Sequence, residues 1–214
     1  MLGKEWNKYV QLKSKRPELF SNNGPIKIVT DEEIIREYEE KHNRKIGVVY
    51  ESAYNMLLVD LVYEYEGQYY AYERVVPMVE GQAVVVLPIY KGKIILLKQY
   101  RHAIREFQYA VPRGFAEQGL SSEDNARKEL IEEIGAVVGE AIYLGEVIAD
   151  SGLSSSKVAV YGCEVLEYNK DHREEGIVEI IEIGLDELKS MVANKEITDG
   201  YTLAAIEMYN NLKG

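Results

Sequence analysis

Residues 59–101 of this 214-residue chain are written as two consecutive β-hairpins, and that constrains the fold more than any other feature. The first pairs residues 59–65 with 68–76, both rich in Tyr and Val, across Glu66-Gly67, a turn of the kind hairpins favour. The second pairs residues 83–90 with 94–101 across Lys91-Gly92-Lys93; it is more apolar, so it is expected to lie deeper. Helical periodicity appears before, after and beyond these strands. Residues 4–15 and 34–41 read as helices, the second behind Thr30 and Glu33 at capping-box spacing. Residues 121–134 place Ala126, Leu130 and Ile134 on one stripe, with Gly135 where a C-cap falls. Strands follow at 141–147 and 157–165 around the Ser/Gly-rich loop 150–156, and the acidic loop 171–176 leads to a strand at 177–183. Helices at 185–194 and 200–212 close the chain. This order predicts an α+β fold of layered sheet and helices. Residues 1–46 form a helical extension, and 47–214 the main domain that begins with the antiparallel hairpin.

Hydrophobic residues make up 46% and charged residues 29%, enough for a packed core. The formal charge of −11 argues against broad affinity for nucleic acid or anionic lipid, so a polyanionic ligand needs locally placed cations. The N-terminus lacks a signal-peptide core and no apolar run reaches a membrane span, so a cytoplasmic protein is expected. Cys163 stands alone in a strand-like run and reads as core filler.

The helix at 121–134 breaks the usual rules of helix stability. Glu129, Glu132 and Glu133, at i, i+3 and i+4, crowd one side of it. Four residues before and after the Glu129/Glu133 pair stand Asn125 and Val137, while Arg127 and Lys128 match Glu123, Asp124 and Glu132 better. Glu132 and Glu133 also lie in the last turn, where the macrodipole disfavours anions by about 0.3–1 kcal/mol each. Two carboxylates about 5 Å apart repel by about 3 kcal/mol at an effective dielectric near 20, which a divalent cation converts to attraction. Oxygen-only donors suit Mg²⁺, with Mn²⁺ as an alternative; none of His42, His102 and His172 is near in sequence, which disfavours zinc. A solvated acidic face without metal is the plain alternative.

With the segment that precedes it, this helix resembles the Nudix box, G-x5-E-x7-R-E-U-x-E-E-x-G-U with U aliphatic. Gly114 and the run Glu129-Leu130-Ile131-Glu132-Glu133-Ile134-Gly135-Ala136 fall in register; Leu120 stands in place of the first Glu and Lys128 in place of Arg. Leu96-Leu97-Lys98-Gln99-Tyr100-Arg101, the Pro-x-Gly turn at Pro112-Arg113-Gly114, the hairpin and the Ile197-Thr198-Asp199-Gly200 helix start are similar to the ADP-ribose pyrophosphatase branch. Ala110, where that branch often has Glu, and a loop at 150–153 without its proline-rich form depart from it. The resemblance extends over 47–214 and is firmest at 94–136. It implies an α/β/α sandwich of mixed sheet and helices, and Mg²⁺-dependent hydrolysis of the diphosphate of ADP-ribose or a related nucleoside diphosphate derivative.

The resemblance also implies roles. Glu129, Glu132 and Glu133 would hold the metal, with Glu129 and Glu133 catalytic through it and the Arg113 carbonyl assisting. Gly114 would let backbone approach the ligand. Arg101 would contact substrate phosphate or base, or else be a solvated strand end. Glu174 or Glu175, in the acidic loop, would supply a base or a further metal ligand, or else a solvated charge. Because relatives pair through N-terminal strands, a homodimer is expected; the alternating Tyr63, Tyr65, Tyr69, Tyr70 and Tyr72 fit a sheet surface or dimer contact. A non-catalytic ligand sensor that keeps the fold is the alternative from another class, motivated by Leu120 and Lys128.

Overall fold

A computed structural model describes residues 2–65, 67–172, 174 and 176–213, and its contacts divide the chain into two compact units. The first unit holds the residues through Met78 together with Asp150–Ser155. It contains α1 (Lys4–Lys15), β1 (Lys27–Ile28), α2 (Glu32–His42), β2 (Gly47–Glu51), β3 (Asn55–Tyr63) and β4 (Tyr69–Pro77). β3 pairs antiparallel with β1, β2 and β4. Trp6, Tyr9, Phe20 and Ile35 pack against Leu58 and Leu61 of β3 to form its core. A carboxylate interrupts β3: buried Asp60 accepts from the Tyr9 hydroxyl and, at 2.5 Å, from Arg74 Nε on β4, which offsets the cost of burying the charge. Burial and the Asp60 carboxylate push the Tyr9 hydroxyl pKa up. α2 starts one residue away from the expected cap. Asp31, not Thr30, is the N-cap, accepting from Glu33 N and Ile34 N, because its carboxylate also complements the positive helix end. The loop at 150–155 docks on the open edge of β4, where Val75 N donates to Leu153 O at 2.8 Å and the Tyr72 hydroxyl to Gly152 O at 2.6 Å.

The second unit holds Val79–Ala149 and the residues from Ser156 onward. Its elements are β5 (Ala83–Tyr90), β6 (Lys93–Arg101), β7 (Glu106–Ala110), β8 (Arg113–Gly114), α3 (Ser122–Ile134), β9 (Val137–Val147), β10 (Val158–Glu167), β11 (Ile177–Ile183), α4 (Leu185–Ala193) and α5 (Gly200–Lys213). The sheet runs β11-β6-β5-β10-β9, with β7 also on β6 and β8 also on β5; β5 and β10 are parallel and the other pairs antiparallel. Strand alternation sends Val84, Val86, Ile95 and Leu97 to one face, against Ala126, Leu130 and Ile134 of α3. Val85, Leu87, Ile94 and Leu96 face α4 and α5 through Leu188, Met191, Ala205 and Ile206. Both faces are covered, which is why β5 and β6 read as continuous apolar runs. The result is the expected helix–sheet–helix sandwich with a mixed sheet. Cys163 is buried in it, and burial pushes its thiol pKa up to about 12.

The second hairpin is not the simple ladder its sequence predicts. Lys91 and Gly92, both at positive φ, make a tight turn, yet β5 and β6 pair only at Ile89↔Ile94 and Tyr90↔Lys93. Beyond that they separate. The short β8 enters beside β5, with Val84↔Gly114 and Val85↔Arg113 in register, while β6 takes β7 and β11. That opening brings Gly114 beneath α3.

Candidate active site

α3 is capped at both ends. Ser121 Oγ accepts from Asp124 N at 3.0 Å, and Gly135, at φ 61°, ends the helix with its N–H on Ile131 O. The apolar stripe of Ala126, Leu130 and Ile134 faces the sheet, and the acids of the last turns run from the flank of that stripe to the exposed side. There Glu129, Glu132 and Glu133 line a cleft of about 390 Å³ together with Glu174. They are not a uniformly solvated face: Glu132 is exposed, Glu129 half-buried, and Glu133 only 3% exposed. A carboxylate so buried costs several kcal/mol unless positive charge or hydrogen bonds offset it.

Gly114 has a specific reason to be glycine. A Cβ there would stand 1.7 Å from Glu129 Oε1 and 2.0 Å from its Cδ. The expected close approach is therefore made by the chain's own carboxylate, which lies on the β8 backbone. Asn125 helps hold this strand-to-helix passage, donating from Nδ2 to Phe115 O at 2.8 Å.

Glu174 reaches the cleft because its loop is tied down at both ends. Asn169 N donates to Ile134 O at 2.9 Å at the end of α3, and Tyr100 N to Gly176 O at 3.0 Å at the end of β6. Asn169 Oδ1 accepts from Asp171 N, and His172 Nε2 lies 3.7 Å from Glu174 Oε2. Glu175 lies outside the described residues.

Arg101 ends β6 opposite Glu106, its carbonyl accepting from Arg105 N at 2.9 Å. The Arg113 guanidinium lies 3.2 Å from buried Asp199 and over the Tyr201 ring. Asp199 Oδ2 also accepts from Thr202 N and Oγ1 at the start of α5, and Thr202 Oγ1 accepts from Val111 N. Arg113 thus ties β8 to α5 through its side chain, a role invisible before Asp199 was placed beside it.

One carboxylate of the site was missed by sequence reasoning. Glu117, Glu129 and Glu132 bring one carboxylate oxygen each within 4.8 Å of one another, and Lys128 Nζ lies 2.6 Å from both Glu117 and Glu132. Hydrogen bonds to those two carboxylates push the Lys128 ammonium pKa up. Arg127 pairs with Glu123 at 3.0 Å, as helical spacing suggests. The available signal for Glu117 was an acid two residues before Gly119 in the loop that feeds the helix. The oxygen-only, anionic donor set fits a hard divalent cation such as Mg²⁺ or Mn²⁺.

The NUDIX domain family model matches residues 79–202. Over 135 residues the chain is 32% identical to an ADP-ribose pyrophosphatase of Bacillus subtilis (strain 168), spanning 61% of this chain and 72% of that protein. It is 25% identical over 130 residues to a methanol dehydrogenase activator of Bacillus methanolicus, spanning 59% of this chain and 70% of the relative. Among solved structures, an ADP compounds hydrolase aligns with a TM-score of 0.67 at 17% identity, covering 77% of this chain and 89% of that one; the likeness is one of fold.

Proposed function

The chain belongs to the NUDIX domain family, and from that premise we propose that it is a Mg²⁺- or Mn²⁺-dependent pyrophosphohydrolase that cleaves ADP-ribose or a related nucleoside diphosphate derivative. The observation that carries this reading is the cleft where Glu129, Glu132 and Glu133 of α3 meet Glu174 of a separate loop. Glu129, Glu132 and Glu133 hold the cation. When bound, it supplies an acidified water and neutralises charge that develops on the diphosphate. Gly114 keeps Glu129 in place by having no side chain. Glu174 faces the helix carboxylates across the cleft and is the described residue suited to take a proton from the attacking water. One phosphoric anhydride bond breaks, one P–O bond to water forms, and a nucleoside monophosphate and a phosphorylated fragment leave. Arg101, at the end of β6, serves the substrate's phosphate or base. The ADP-ribose pyrophosphatase among the relatives supports the substrate class. The active form is a homodimer, for which exposed Tyr50, Tyr54, Tyr65 and Tyr70 in the first unit offer aromatic contact surface.

Incubation with Mg²⁺ and a panel of ADP-ribose, nucleotide sugars, dinucleoside polyphosphates, coenzyme A and nucleoside triphosphates tests the reading. Hydrolysis of at least one compound is expected, with Glu133→Gln lowering turnover by at least about tenfold. Tight binding without turnover across the panel would instead assign a ligand sensor. Light scattering tests the dimer.

A further inference from the structure

Lys128 bridges two elements of the site. Its Nζ lies 2.6 Å from Glu132 Oε2, one turn on along α3, and 2.6 Å from Glu117 Oε1 in the preceding loop. Glu117 is brought there by a turn over residues 117–120, closed by Leu120 N donating to Glu117 O at 3.3 Å, with Gly119 at φ +86° supplying the left-handed position such a turn needs. Within the helix alone, Glu132 is poorly held. A lysine N-terminal to its glutamate at i, i+4 is the weaker orientation, and a carboxylate in the last turn opposes the macrodipole. A second carboxylate on the far side of Lys128 changes this, because the ammonium is then fixed between loop and helix.

We propose that Glu117 is a positioning residue that, by fixing Lys128, holds the Glu132 carboxylate toward Glu129 and so pre-organises the oxygen set for a divalent cation. The inference rests on the metal-dependent reading above and extends it to a residue outside the helix. A direct metal-ligand role for Glu117 is the competing account, since its oxygen lies within 4.8 Å of those of Glu129 and Glu132. Lys128 Nζ lies equally close to Glu117 Oε1 and Glu132 Oε2, at 2.6 Å each, so the coupling between Glu117 and Lys128 is what tells the two accounts apart.

A double-mutant cycle read by Mn²⁺ binding, with free Mn²⁺ followed by electron paramagnetic resonance, separates the two. Glu117→Gln is expected to weaken Mn²⁺ binding about tenfold, the usual effect of losing a residue that orients a ligand. Lys128→Met should cost about as much, Lys128→Arg should keep most of the affinity, and Glu117→Gln should add nothing in the Lys128→Met background. An unchanged affinity in Glu117→Gln overturns the proposal. So does a Glu117→Gln penalty that persists in full beside Lys128→Met, which would make Glu117 a direct ligand. A metal-free melting temperature lower by more than about 5 °C in Glu117→Gln would assign a structural role and overturn it as well. Failure of the unmodified protein to bind Mn²⁺ would instead sink the hydrolase reading itself.

Discussion

Gly114→Ala isolates the contact between β8 and the Glu129 carboxylate. Gly114 is not among the glycines at positive φ, so alanine imposes no backbone strain, and its ladder to Val84 is untouched. The new Cβ would lie 1.7 Å from Glu129 Oε1, where ordinary contact begins at 3.4 Å, so the carboxylate must retreat by a comparable distance. The obstructing atoms are the end of a flexible side chain, and its rotation costs on the order of 0.5–1.5 kcal/mol. For a chain of this size that lowers the melting temperature by only about 1–6 °C. The chemical cost is far larger, because a 1 Å misplacement of a reacting constellation costs about a hundredfold in rate. Calorimetric melting, Mn²⁺ titration and hydrolysis of the best substrate, measured on one preparation, should therefore show a nearly normal fold with weakened metal binding and about a hundredfold lower turnover. If Gly114→Ala bound Mn²⁺ and turned over like the parent, Glu129 would not occupy that position in the working enzyme, and the reason given for glycine would be wrong.

Other perturbations follow from the same geometry. Glu133→Gln removes a carboxylate that lines the cleft, so the rise in melting temperature that millimolar Mg²⁺ gives the parent should shrink or vanish in the variant. Asp199→Ala strips Thr202 N, Thr202 Oγ1 and Arg113 of one shared acceptor and should destabilise by about 3–5 kcal/mol, seen as an early thermal transition. The Cys163 thiol, with a pKa pushed up to about 12, is almost wholly protonated at pH 8; iodoacetamide should label it only after denaturation, and rapid labelling of the native protein would contradict its burial.

Much of α3 was legible in the chain because its signals are local. Ser121, the Ala126/Leu130/Ile134 stripe and Gly135 lie within one helix, and the structure caps and buries it as they suggest. The strand at Ile177–Ile183 and the helix at Lys4–Lys15 appear with the bounds read from pattern. The Thr30 cap did not survive, because Asp31 competes for the same amides one residue on. β7 and β8 were not read as strands: a five-residue strand and a two-residue one carry too little periodicity, and their pairing depends on β5 and β6 parting. Glu129, Glu132 and Glu133 do share one cleft, and Glu174 joins them from a loop whose charges alone looked equally like solvated surface.

By itself, the order of residues determined most of the segments that become helices and strands, β7 and β8 excepted, and that acids accumulate near the end of one helix. Spacing of 3.6 or 2 residues and turn chemistry act over a few positions, so no folded context is needed to read them. Tertiary structure alone decided that Glu117 meets Lys128, that Arg113 turns to Asp199 and α5, and that Glu129 rests on Gly114. Those pairings join groups 11, 86 and 15 residues apart, and distance along a chain says nothing about direction until the sheet has closed and the helix has docked on it.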